Sequence, residues 1–142
     1  MARRGFTLLE IMIVVVIIGI LAAIVLPRVI GSTDLARANA ARVEISSLTQ
    51  AVDQFRMYNS RYPTNAEGLK ALVERPSDVS YWPDGGFLTQ TVVPVDPWGH
   101  PYVYTQPGAH GPYDIVSYGA DGQPGGTGVN EDIVSWNLKG TQ

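Results

Sequence analysis

The 142-residue sequence has no cysteine, which removes thiol nucleophiles, zinc–thiolate centres and disulfide staples together. Histidine is nearly absent as well. His100 and His110 are flanked by proline or glycine and stand at no metal-ligand or nucleophile–base spacing, and there is no G-x-S-x-G. A membrane-tethered hydrolase using either histidine with a nearby carboxylate is the reading these absences argue against. Bases are scarce in the second half: from Asp78 onward Asp78, Asp84, Asp96, Asp114, Asp121, Glu131 and Asp132 face only Lys139. That half repels nucleic-acid phosphates and invites cations. No internal repeat or low-complexity tract is present, and the length suits one small domain. An exported domain this small without disulfides needs another staple or a partner.

Hydrophobic residues form 45% of the chain while the mean hydropathy is only +0.04, so a polar domain offsets a strongly apolar segment. That segment is N-terminal. Arg3 and Arg4 precede Phe6–Leu26, which is apolar apart from Thr7 and Glu10. As a helix these residues reach about 31 Å, enough to cross a hydrocarbon core of about 30 Å. Basic residues before the span place Met1 on the cytoplasmic side and the chain beyond Pro27 outside. A cleaved secretory signal also has a basic start and an apolar run, but Glu10 sits inside this one and no A-x-A-like site closes it. A carboxylate within a span costs about 2.5–3.5 kcal/mol on insertion scales, so Glu10 calls for a partner.

Beyond Pro27, Ala38, Ala41, Ile45, Leu48, Val52 and Phe55 recur in steps of three and four, while Arg37, Arg42, Glu44, Asp53 and Arg56 fall largely elsewhere. The spacing predicts an amphipathic helix over 32–58, continuous with the apolar one and packed on a globular head. Gly19 and Pro27 are its weak points: either the helix kinks or melts there, or it tolerates both as membrane helices do. Tyr62-Pro63 stops it. Thr64-x-x-Glu67 reads as a capping box opening a short helix through about Val73, ended by Pro76. An irregular stretch over 77–99 precedes three β-type runs, 102–105, 113–118 and 133–137, which predict a small antiparallel sheet. The fold class is therefore α+β. Asp96-Pro97-Trp98-Gly99 reads as a tight turn tucking an indole into the core, and Tyr102, Tyr104, Tyr113 and Tyr118 as sheet packing.

Gly5-Phe6-Thr7-Leu8-Leu9-Glu10 followed by an apolar run resembles the N-terminal signal of type IV pilins and type II secretion pseudopilins. The resemblance implies a leader over 1–5 removed between Gly5 and Phe6 by an inner-membrane prepilin peptidase, with N-methylation of Phe6. It also implies a transmembrane and assembly helix over 6–31 and a periplasmic head over 32–142. Cleavage would leave an α-amine cation at Phe6, and Glu10 of a neighbouring copy can pair with it, setting the register of a stack.

Three further stretches, Tyr62-Pro63-Thr64-x-x-Glu67-Gly68-Leu69, Asp96-Pro97-Trp98-Gly99-x-Pro101-Tyr102 and Tyr113-Asp114-Ile115-x-Ser117-x-Gly119-Ala120-Asp121-Gly122, resemble the major pseudopilin family of the type II secretion system. That family implies a pilin-like fold and a helical homopolymer, the periplasmic pseudopilus, which drives folded proteins across the outer membrane. It also implies minor pseudopilins and an inner-membrane assembly platform as partners, with energy from a cytoplasmic ATPase. The second reading is a type IV pilin of a surface pilus, against which stands the lack of a C-terminal cysteine pair.

The loop 119–132 holds glycines but no Lys or Arg, so it is no phosphate cradle, and its acids do not fall at EF-hand positions. By its residues it is either a solvated acidic turn or a site where Asp121 and Asp132 bring hard oxygens to a cation. The family resemblance implies calcium here. Carried over by position, the ligands are the side chains of Asp121 and Asp132 and main-chain oxygens near Tyr118 and Gln123, with Asn130 and Glu131 as further candidates.

Overall fold

The computed structural model describes residues 6–139, with side chains described outside 24–32. Gly5 and the rest of the expected leader lie outside the described residues. The chain divides into two compact units, Met1–Leu35 and Ala36–Gln142.

Helix α1, Leu8–Asn59, contributes to both units. Its helical backbone runs through Gly19 and Pro27. Thr7 caps it: Thr7 Oγ1 and the Thr7 carbonyl both accept the Glu10 N–H, at 3.3 and 3.1 Å. In the first unit the apolar side chains from Leu8 to Leu21 are exposed around the helix. Among the described residues no helix is long and apolar enough to cross a membrane. The expected span 6–26 includes 24–26, whose side chains are outside the description.

In the second unit one stripe of α1 makes the core. Ala41, Ile45, Leu48, Val52 and Phe55 are fully buried at four- and three-residue steps, as the periodicity predicted. Leu69, Leu72, Val79, Tyr102, Ile115 and Ile133 close around that stripe. Phe87 from the irregular stretch meets Phe55 edge to face at 5.4 Å between centroids.

The expected short helix after Pro63 forms, as a turn followed by a 3-10 helix, Gly68–Leu72, rather than as an α-helix. The capping box does form: Glu67 N–H donates to Thr64 Oγ1 at 3.3 Å, and Thr64 N–H donates to Glu67 Oε2 at 2.7 Å. The physical reason lies one residue on, where Gly68 turns left-handed at φ +56° and stops α-helical propagation.

Strands β1 (Val103–Thr105), β2 (Asp114–Ser117) and β3 (Ile133–Val134) form an antiparallel sheet in the order β1-β2-β3. Val103 pairs with Val116, and Ser117 with Ile133. β3 is shorter than expected: the Ser135 N–H still donates to the Ile115 carbonyl at 2.9 Å, but the Ser135 hydroxyl, rather than a main-chain carbonyl, accepts the Ile115 N–H at 3.0 Å. Tyr102, Tyr104 and Tyr113 pack in or against the core as expected. Tyr113 donates to Asp53 on α1 at 2.9 Å, and Tyr104 donates to the Pro63 carbonyl at 2.9 Å.

Candidate functional site

The loop joining β2 to β3 is built from two one-turn 3-10 segments, Gly119–Asp121 and Gly128–Asn130, that lie against each other. Their contact requires a bare Cα at Gly119. It sits at φ +63°, and a Cβ there would meet the Asn130 carbonyl carbon at 2.9 Å and the Val129 and Glu131 oxygens at 3.0 Å. The two ends of the loop are thereby brought together, although they are far apart in sequence.

Asp121 is exposed and its Oδ1 accepts the Gln123 N–H at 3.1 Å, an Asx-type turn. Asp132 is half-buried. Its Oδ2 accepts the Gly125 N–H at 2.9 Å, while its Oδ1 is buried and finds no donor. A buried carboxylate oxygen without a partner is costly, and a divalent cation is one means of satisfying it. Tyr118 is half-buried just ahead of the first segment, Gln123 is exposed beyond Gly122, and Asn130 and Glu131 are half-buried where the second segment ends. Among the described residues no three His, Cys, Asp or Glu side chains form a metal cluster. An ion held here would therefore take main-chain carbonyls beside the carboxylates of Asp121 and Asp132. A hard, oxygen-seeking cation such as calcium suits that donor set.

Behind the loop stands a carboxylate whose role the sequence did not reveal. Asp96 is 3% exposed. The expected tight turn forms, with the Gly99 N–H donating to the Asp96 carbonyl at 2.9 Å and Trp98 packing against the core. The Asp96 side chain does more than cap it, because Oδ2 also accepts the Ser117 hydroxyl at 2.7 Å. The available signal was an aspartate at the first position of a D-P-x-G turn. What it lacked was any local hint of a partner 21 residues away.

His100 Nδ1 lies 3.2 Å from the Gly119 carbonyl. His110 Nδ1 lies 3.1 Å from Asp114, and its ring stacks on Trp136 at 3.7 Å. At the other end of the chain, Phe6 is exposed ahead of the capped helix. The Glu10 carboxylate has no cationic partner among the described residues, although its N–H completes the Thr7 cap. Thr7-x-x-Glu10 is itself a capping pattern, legible in the sequence within the N-terminal motif.

Two family models match the chain. The model for type II secretion system protein G covers residues 28–136, and that for the prokaryotic N-terminal methylation motif covers residues 1–26. The type II secretion system core protein G of Pseudomonas aeruginosa is 45% identical over 95% of this chain and 96% of its own length. That of Vibrio cholerae is 44% identical over 99% and 96%. The crystal structure of the major pseudopilin from the type 2 secretion system of enterohaemorrhagic Escherichia coli superposes with a TM-score of 0.66. It is 33% identical, over 79% of this chain and 92% of that one.

Proposed function

The chain belongs to the type II secretion system protein G family, and from that premise we propose that it is a major pseudopilin, a structural subunit that polymerises into a periplasmic pseudopilus and carries out no chemistry of its own. The observation that carries this reading is the identity of 45% extending over 95% of the chain, from N-terminal motif to head. The energy for export then comes from elsewhere in the machinery. Minor pseudopilins and an inner-membrane assembly platform are the partners that the role requires.

The N-terminal motif supports processing between Gly5 and Phe6 and methylation of the new terminus. The apolar segment 6–26 then anchors the subunit in the inner membrane, with the head in the periplasm. The Phe6 amine would emerge one residue before the Thr7 cap, in an apolar layer where Glu10 is the nearby countercharge and the Glu10 carboxylate of a neighbour can balance it. Calcium in the loop 119–132 would supply positive charge to the acidic half and a donor-seeking centre to the buried Asp132 oxygen.

Mass measurement on protein extracted from membranes of a host with the cognate peptidase tests the proposal. The expected product begins at methylated Phe6. Glu10→Val should be inserted and processed yet fail to form filaments, since the costly carboxylate is gone but so is the register signal. An intact Met1, or normal filaments from the variant, would overturn the respective step.

A further inference from the structure

Gly119 opens the loop that carries Asp121 and Asp132, and both of its backbone polar groups are held from outside the loop. Its carbonyl faces His100 Nδ1 at 3.2 Å, so that the Nδ1–H tautomer donates to it. Its N–H makes a long 3.4 Å contact with Ser117 Oγ, and that hydroxyl donates to Asp96 Oδ2 at 2.7 Å. Asp96 Oδ1 accepts the N–H of His100 at 2.7 Å and of Trp98 at 3.1 Å, so one carboxylate also sets the backbone on which the imidazole is mounted. The imidazole in turn lies over Gly122, where a Cβ would come within 3.1–3.2 Å of three ring atoms. A turn alone needs only Oδ1. The second oxygen of Asp96, buried and directed to Ser117, is used on the loop side.

We propose that Asp96 and His100 are positioning residues for the loop: His100 holds the Gly119 carbonyl and Asp96, through Ser117, its N–H, a clamp that arranges the donor oxygens from Tyr118 to Gln123 before an ion arrives. The functional consequence rests on the calcium reading above, whereas the clamp rests on the geometry alone. Arranging ligands in advance removes an ordering cost from ion binding, as hydrogen-bonding partners behind metal ligands generally do.

The full-length chain in detergent micelles provides the test at one fixed pH, as wild type, His100→Phe, His100→Asn and Ser117→Ala. Phe keeps a ring over Gly122 but has no donor. Asn places its amide nitrogen where Nδ1 stands. In excess chelator, amide exchange over 117–124 should quicken about tenfold in His100→Phe and Ser117→Ala and return to the wild-type rate in His100→Asn. Calcium added alone should bind wild type and His100→Asn alike and His100→Phe about tenfold more weakly, at the low end for loss of such a partner. Unchanged exchange over 117–124 in both His100→Phe and Ser117→Ala would overturn the clamp. Failure of His100→Asn to rescue an impaired His100→Phe would overturn the hydrogen-bond assignment. A wild-type chain indifferent to calcium would overturn the calcium reading only, the clamp still being decided by exchange in chelator.

Discussion

Arg61 and Glu67 lie at the centre of a polar cluster in the head. The Arg61 guanidinium makes two 2.8 Å bonds to the two Glu67 oxygens, one of 2.7 Å to Asp78 and one of 3.1 Å to the Tyr62 carbonyl. The hydrogen bonds from Arg61, then those from the Thr64 backbone and hydroxyl, hold the Glu67 carboxyl well below the usual range, at about 2. A depressed carboxylate contributes stability above its unfolded value near 4.5 and loses it as pH falls toward 2. The Glu67 side chain is 21% exposed, and solvent screening trims the contribution to about 1–3 kcal/mol. Glu67→Gln should therefore lower the unfolding midpoint at pH 7. The gap to wild type should close between pH 4.5 and 2, as followed by circular dichroism of the full chain. A gap independent of pH would remove the ion pair as its cause.

At the scale of elements, α1 behaves differently in its two units. Over Leu8–Leu21 its apolar side chains are exposed on every face, and over Ala41–Phe55 one stripe is fully buried. The buried stripe is where truncation is costly: Phe55→Ala removes an aromatic ring that Phe87 meets edge-on and should cost about 3–5 kcal/mol. Val43, on the exposed face of the same helix, should tolerate alanine within about 0.5 kcal/mol. Denaturant titration of the two variants checks both, and equal losses would mean that the stripe is not the core. The short helix after Pro63 was legible as a helix but not as a 3-10 one, since the capping box forms and yet Gly68 redirects the chain immediately after it.

For the molecule as a whole, the proposed ion answers two weaknesses of the head, its lack of covalent staples and the excess of acids beyond Asp78. Binding to the folded state alone stabilises by about 2.7 kcal/mol at a hundredfold excess over Kd, a large share of a small domain's stability. Chelation should lower the melting temperature of the full chain in detergent, and calcium should restore it better than magnesium, which demands tighter octahedral geometry. Asp121→Ala and Asp132→Ala should each abolish the response and reduce filament formation while leaving membrane insertion unchanged. Superimposable melting curves in calcium and in chelator would return the loop to a solvated turn.

The sequence by itself determined whatever depends on local pattern. The apolar run after Arg3-Arg4, the three-and-four spacing from Ala41 to Phe55, the three strand positions and the N-terminal motif were all legible, because helix and strand periods and short motifs are written in neighbouring residues. The glycines and aspartates of the loop were legible too, as a solvated turn or a cation site. Tertiary structure alone decided that Gly119 is wedged against the backbone of 129–131, that one oxygen of Asp132 is buried without a donor, and that Asp96 reaches Ser117 while His100 reaches the Gly119 carbonyl. These are contacts between residues 10 to 21 positions apart, or orphaned atoms defined by what packs over them. Periodicity and composition carry no term for such pairings, since only the folded chain brings the groups within reach.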